Sequence, residues 1–132
     1  MVIERHNPAE LHETPGYHHV TVVTGGRTVY LAGQVPLAAD GTLVGDGDVL
    51  AQVDQVAANA LTALRFAGLS PHDVVRTVIY VVSDDNAVLA AVWRRLNESP
   101  LAAAFTTAST LLGVVKLGFT GQLVELDVTA AA

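Results

Sequence analysis

The chain has 132 residues, of which 51% are apolar, 15% are charged and none is cysteine. This length fits one domain over 1–132, and the apolar content argues against a disordered chain. The lack of cysteine excludes disulfides, thiolate metal ligands and a cysteine nucleophile. The net charge of −6 disfavours nucleic-acid binding, because such binding relies on basic side chains that neutralise phosphates.

The sequence predicts a cytoplasmic protein. No run of about 18 uncharged apolar residues is present that could span a membrane. Residues 1–13 carry charges where a secretory leader needs an apolar core. The charged fraction is below the roughly 25% of typical soluble domains, which suggests that a partner subunit covers part of the surface.

The first part of the chain is expected to form a β-hairpin after an irregular lead-in. Residues 1–16 form this lead-in, in which two prolines and a glycine disfavour regular secondary structure. Two runs rich in β-branched and apolar residues follow, at Val20–Val23 and Thr28–Ala32. Between them, Gly25 and Gly26 tolerate positive φ, which is typical of a hairpin turn.

A helix, a strand and a second helix are predicted next. Residues 49–67 carry apolar side chains at helical spacing, with Asp48 as a candidate N-cap and Gly68 as a stop. Val74–Val82 consists almost entirely of β-forming residues. The second helix is predicted at about 86–97.

Two closing strands, at about 109–117 and 123–129, complete the order β-β-α-β-α-β-β. Two helices cannot cover both faces of such a sheet, so we predict an α+β fold with both helices on one face. Val74–Val82 is nevertheless apolar on both sides of its pleat, which is typical of a strand buried on both faces. Another copy of the chain is therefore expected to cover the second face, in an obligate oligomer.

Several stretches that together span about residues 15–130 resemble the Rid/YjgF family, which carries the older name endoribonuclease L-PSP. They are similar to its N-terminal Pro-Tyr element, its strand-turn signature, its helix-to-strand block and its closing strand. The matching stretches are Pro15–Tyr17, Val29–Leu37, Asp40–Gly45, Gln55–Gly68, Asp73–Val81 and Leu123–Val128.

The resemblance implies a chorismate-mutase-like fold and a homotrimer whose sheets line a central barrel, with a ligand cleft at each subunit interface. It also implies hydrolysis of reactive imines and enamines of amino-acid-derived acids to ketones and ammonia, without a metal or an organic cofactor. Some members of the family have instead been named ribonucleases or translation inhibitors.

One position departs from the family pattern. Deaminating members carry an arginine at the start of the penultimate strand, where its guanidinium clamps the substrate carboxylate. Ser109 stands at that position here, and no arginine follows Arg95. A serine hydroxyl cannot match a charge-assisted pair. The sequence therefore argues against a standard 2-iminopropanoate deaminase and favours a neutral or differently charged ligand.

Two carboxylates are candidates for chemistry. Glu125 and Asp127 lie two residues apart on one predicted strand, so they share a face. By the family resemblance, Glu125 lies at the cleft, where it positions or activates water as a general acid/base, and Asp127 supports ligand binding. The alternative interpretation is a salt-bridged or solvent-facing pair near the end of a strand.

Four further residues are candidates for ligand binding. Tyr17 matches the family's cleft tyrosine, although it could instead pack the lead-in onto a neighbouring subunit. Gly33 and Gln34 follow a strand, and in the family the backbone of this segment lines the cleft; a simple strand end is the alternative. His18 and His19 point to opposite sides if extended, so at most one reaches a cleft. His18 is kept as a candidate beside the alternative of a partly exposed histidine.

Three functions remain open from the sequence. The first is cofactor-free acid/base chemistry on an imine-type group, with Glu125 as the catalytic residue. The second is a non-catalytic module that binds a small metabolite. The third, a ribonuclease, is disfavoured by the net charge of −6. A metal site is not expected, since no pair of histidines has ligand spacing.

Overall fold

The computed structural model describes residues 1–132 and contains two β-sheets and two α-helices. The strands are β1 (Val2–His6), β2 (Val20–Thr24), β3 (Thr28–Tyr30), β4 (Val74–Val82), β5 (Ala108–Val114) and β6 (Val124–Ala131). The helices are α1 (Val49–Phe66) and α2 (Asn86–Asn97), and short 3-10 helices lie at Pro71–Asp73 and Ala102–Thr106. The predicted α+β class is confirmed.

The main sheet has four strands in the order β3-β6-β4-β5. Strand β6 runs antiparallel to both β3 and β4, whereas β4 and β5 are parallel. Strands β3 and β5 are therefore the two edges of this sheet. Strands β1 and β2 form a separate antiparallel pair.

The prediction of an irregular segment over 1–16 was wrong for its first residues, and so was the predicted hairpin. Strand β1 lies in that segment and pairs with β2, while β3 joins β6 in the other sheet. Gly25 and Gly26 do turn the chain, with φ of 74° and 73°. After the turn, however, Arg27 and Ala132 exchange two backbone hydrogen bonds of 2.8 and 3.0 Å. Strand β3 thus pairs with the C-terminal strand β6. The local sequence pattern does not encode this long-range pairing.

The two helices begin and end close to the predicted limits. Asp48 caps α1 by accepting a hydrogen bond from the backbone N–H of Ala51 (3.1 Å), and Asp85 caps α2 through Ala87 (2.8 Å). The buried side of α1 presents mostly small apolar side chains to the sheet, so its backbone packs closely onto β6. Neither helix combines the length and the apolar character needed to cross a bilayer.

Both helices pack on the same face of the main sheet. On that face Thr77, Ile79 and Val81 of β4 are buried, as are the alternate residues of β6. The other face, which we call the open face, is covered by neither helix. Its side chains are half-buried or exposed, and they include Arg76, Val78, Tyr80, Val82, Thr110, Leu112, Val114, Glu125, Asp127 and Thr129.

Candidate functional site

A cavity of about 630 Å³ lies between α2, β5 and the segment that precedes β2. We call it the α2 cleft. Its volume falls within the roughly 300–1,000 Å³ of typical small-molecule sites. The apolar and aromatic part of its wall comes from all three segments and consists mainly of Pro15, Tyr17, Leu89, Trp93 and Leu111.

The polar part of the α2 cleft is supplied mostly by α2. Asn86, Arg94 and Asn97 come from this helix, and Ser109 comes from β5. Arg94 is the one charged residue in the lining, and no carboxylate accompanies it. The cleft therefore combines an apolar wall with a single positive charge.

Tyr17 is held in the α2 cleft by aromatic contacts. Its ring meets that of Trp93 edge-on, with centroids 6.2 Å apart, and the Trp93 ring meets Phe105 at 5.9 Å. The phenol oxygen of Tyr17 lies 3.2 Å from Nε2 of His12, within hydrogen-bonding distance. The indole N–H of Trp93 donates to the carbonyl of Pro15 (3.4 Å), which fastens the segment before β2 onto α2.

The Ser109 hydroxyl is occupied by protein partners. It accepts a hydrogen bond from the Thr77 hydroxyl (2.5 Å) and donates one to the carbonyl of Thr107 (3.1 Å). Because Thr77 and Thr107 are fully buried, these bonds are protected from water. Ser109 is thus a wall residue of the cleft with its donor proton already engaged.

Glu125 lies on the open face, where its carboxylate is fixed on two sides. The side-chain amide of Gln122 donates to Oε1 of Glu125 (3.1 Å) and to the carbonyl of Val124 (3.0 Å). On the other side the carboxylate rests against the backbone of Gly33, where an added Cβ would lie 2.5 Å from Oε2. The amide of Gln122 is itself anchored, since its oxygen accepts from the backbone N–H of Phe119 (3.2 Å).

The neighbours of Glu125 are the remaining predicted residues of the segment after β3. Gln34 exchanges two backbone hydrogen bonds with Leu126, of 2.7 and 3.0 Å, which hold the segment against β6. The side chain of Gln34 folds back and donates to the carbonyl of Ala32. Asp127 lies two residues after Glu125 on β6. It is half-buried on the open face, opposite Val78 of β4.

The two adjacent histidines have structural partners. Nδ1 of His18 hydrogen-bonds with the carbonyl of Thr106, and Nε2 of His19 donates to the carbonyl of His12 (2.8 Å). Neither histidine lines the α2 cleft. No three His, Asp or Glu side chains are grouped so that they could hold one metal ion.

The model of the family described as endoribonuclease L-PSP matches residues 9–132. The chain belongs to the Rid/YjgF family. The curated protein DfrA of Myxococcus xanthus is 30% identical over 118 residues, which are 88% of this chain and 85% of DfrA.

Solved structures of the Rid/YjgF family share the fold. YyfB of Yersinia pestis, a member of the conserved Rid family, is 37% identical, with a TM-score of 0.91 and full coverage of both chains. The YjgF gene product of Escherichia coli is 24% identical, with a TM-score of 0.64 over 95% of this chain and 92% of that one. The E. coli likeness bears on the fold alone.

The Rid/YjgF pattern predicts that Tyr17, Ser109 and Glu125 lie at one interface cleft, and within a single chain the structure separates them. Tyr17 and Ser109 line the α2 cleft on the helix-covered side, beside the β5 edge. Glu125 and Gly33 lie on the open face, beside the β3 edge. A single chain therefore holds two half-sites at opposite edges of one sheet.

Sequence reasoning missed Arg94 as a cleft residue. The family pattern directs attention to position 109 instead. A signal was present, because Asn86, Ala90, Arg94 and Asn97 recur at intervals of three and four, and such residues share one face of a helix.

Two carboxylates outside both half-sites have lowered pKa values. Hydrogen bonds from Arg95, whose Nε and Nη2 lie 2.8 and 2.7 Å from the Asp54 carboxylate, hold the pKa of Asp54 below its ordinary value. Hydrogen bonds from the Thr42 hydroxyl and backbone N–H likewise lower the pKa of Asp40.

Proposed function

We propose that this Rid/YjgF protein binds a small organic ligand in clefts between copies of the chain, and that Glu125 performs cofactor-free acid/base chemistry there on an imine or enamine group. The observation that carries the proposal is the preorganised Glu125 carboxylate, held by Gln122 on one side and by the glycine backbone at position 33 on the other. Fixing a general base in this way is how enzymes position proton transfer.

The chemistry needs one carboxylate and one water molecule. Glu125 removes a proton from water as the water oxygen bonds to the carbon of the protonated imine, which gives a neutral carbinolamine. Glu125 then protonates the amine nitrogen, and as the C–N bond breaks it takes up the hydroxyl proton and passes it to the departing ammonia. The products are a ketone and an ammonium ion, and Glu125 ends in its starting state. Because Gln122 bonds to Oε1, Oε2 is the oxygen left for this exchange.

The position of the half-sites supports assembly into a closed ring of three copies. The α2 cleft lies beside the β5 edge of the sheet, and Glu125 lies near the β3 edge. When the β5 edge of one copy meets the β3 edge of the next, both half-sites lie at the same seam between copies. Such a ring also covers the open face, whose apolar members Val78, Val82 and Leu112 are only half-buried in one chain.

The test measures ammonia release from imines that an amino-acid oxidase or an amine oxidase generates in situ, with 2-iminopropanoate in the panel. For the imine that turns over fastest, Glu125→Gln should lower kcat/KM by about a hundredfold or more, the usual worth of a general base. Glu98→Gln, which changes an exposed carboxylate outside the α2 cleft, serves as the matched control and should retain most activity. Equal turnover by wild type and Glu125→Gln, or no turnover of any imine, would contradict the proposal.

A second candidate, a non-catalytic module that binds a small metabolite, is favoured by one observation. The hydroxyl of Ser109, where the sequence resemblance predicts the family's arginine, is hydrogen-bonded to Thr77 and Thr107. The cleft thus lacks the family's charged clamp on β5. A ligand that binds wild type and Glu125→Gln with the same affinity, and that leaves both unchanged, would favour this second function.

A further inference from the structure

We propose that Arg94 of α2 is the anion-binding residue of the α2 cleft, and that the ligand carries a carboxylate which docks on Arg94. This inference rests on the proposed function only in taking the α2 cleft as the ligand site. It differs from the expectation of a neutral or differently charged ligand, which depended on position 109 alone.

The electrostatics of the cleft support this assignment. Arg94 is the one charged side chain in the lining, so no acidic neighbour within the cleft neutralises it. Its side chain is exposed and makes neither a hydrogen bond nor an ion pair with the protein. Its planar guanidinium can donate two parallel hydrogen bonds to a carboxylate.

Arg95, the next residue, provides the contrast. Both arginines lie in the last turn of α2, where positive charge complements the helix dipole. The Arg95 guanidinium is bound by Asp54 through two hydrogen bonds on the outer surface between the helices. The helix dipole favours a positive charge at either position. Only Arg94, however, has no protein partner for its guanidinium and faces a cavity with aromatic walls.

The rest of the lining indicates the kind of molecule that carries the carboxylate. Tyr17 and Trp93 offer aromatic surface, and Leu89 and Leu111 offer aliphatic surface, so the body of the ligand is planar or apolar. Asn97 lies about one helical turn from Arg94, and its side-chain amide donates to the carbonyl of Trp93 (2.9 Å). The carboxylate end of the ligand therefore lies beside Arg94, and its planar or apolar body packs on Tyr17, Trp93 and Leu111.

The test uses Trp93, the single tryptophan of the chain, as a fluorescent reporter inside the cleft. Benzoate and benzamide have nearly the same shape and differ in charge. Wild type should bind benzoate about three- to tenfold more tightly than benzamide, and added salt should weaken this preference, because an exposed ion pair is screened. Arg94→Gln should abolish the preference, and the control Arg95→Gln should keep it.

A charge-reversal variant tests the role of Arg94 through a gain of cation binding. Arg94→Glu should bind the amidinium of benzamidine more tightly than benzoate. Equal binding of benzoate and benzamide by wild type, an unchanged preference in Arg94→Gln, or no response of Trp93 to either probe would overturn the proposal. These outcomes concern binding alone, so a lost anion preference beside Glu125-dependent ammonia release would reject the role of Arg94 and leave the proposed chemistry standing.

Discussion

The carboxylate of Glu125 occupies the space that a side chain at position 33 would need. A Cβ built on Gly33 would lie 2.5 Å from Oε2 and 2.9 Å from Cδ of Glu125. Gly33, in the segment after β3, therefore helps to position the carboxylate, together with Gln122 on the opposite side.

Replacing Gly33 should move the carboxylate without unfolding the protein. The φ of Gly33 lies outside the left-handed region, and the clashing atoms belong to the flexible end of a side chain. We expect Gly33→Ala to melt within a few degrees of wild type and to lose most of the Glu125-dependent ammonia release. Gly118→Ala is the matched control, since a Cβ there meets nothing within 4 Å. Full activity of Gly33→Ala would show that the contact does not position Glu125.

Gln52 should contribute more to stability than its neighbour Gln55. The fully buried amide of Gln52 donates to the carbonyls of Gly45 and Gly121, at 3.0 Å each, and accepts from the backbone N–H of Leu123 (2.7 Å). Gln52→Leu leaves these backbone groups unpaired, so we expect a loss of about 2–4 kcal/mol in the free energy of unfolding in urea.

The control for that measurement is Gln55→Leu. The Gln55 side chain is half-buried and donates to Asn59 on the same helix (2.9 Å), so its loss should cost under about 1 kcal/mol. Equal losses for the two variants would mean that the hydrogen bonds of Gln52 with Gly45, Gly121 and Leu123 do not stabilise the fold.

The open face should hold copies of the chain together. Val78 lies near its centre and is half-buried in one chain. Val78→Lys would place an ammonium group between copies, where an uncompensated charge is costly. In sedimentation at micromolar concentration, wild type should run as a trimer and Val78→Lys as a smaller species. Ala58→Lys, on the exposed side of α1, should match wild type. A stable single copy of wild type would contradict the prediction.

The Asp54–Arg95 pair should make a small, pH-dependent contribution to stability. The pKa of Asp54 is lowered by its hydrogen bonds with Arg95, so the stabilisation is fully present above the ordinary value of 3.8 and is lost as the pH falls through the lowered pKa. Because both side chains are about half exposed, water screens the pair and its contribution at pH 7 is small.

The measurement compares wild type with Asp54→Asn by urea unfolding. Their difference should be largest near neutral pH and should shrink as the pH falls through the lowered pKa of Asp54, because the carboxylate then takes up a proton in the folded state as well. Asp46→Asn removes a carboxylate that has no ion-pair partner. The difference in unfolding free energy between this variant and wild type should not shrink in the same way as the pH falls. A difference that persists at low pH would assign the effect of Asp54→Asn to something other than the ion pair.

Sequence alone determined the elements whose signals are local. The apolar period and the Asp48 cap fixed the limits of α1 to within a residue, and β4 was predicted at its observed bounds. The alternation along β6 likewise indicated that Glu125 and Asp127 share a face, which the burial pattern confirms. These features depend on contacts between near neighbours in the chain, so their residues encode them directly.

Tertiary structure decided which distant residues meet. The pairing of β1 with β2 and the capture of β3 by the C-terminal strand depend on partners about 20 and 100 residues away along the sequence. The same holds for the site, because a strand pattern places Ser109 and Glu125 on faces but does not say which face the helices cover. Only folding put Arg94 beside Tyr17, since the chemistry of a cleft comes from segments that the chain brings together across its whole length.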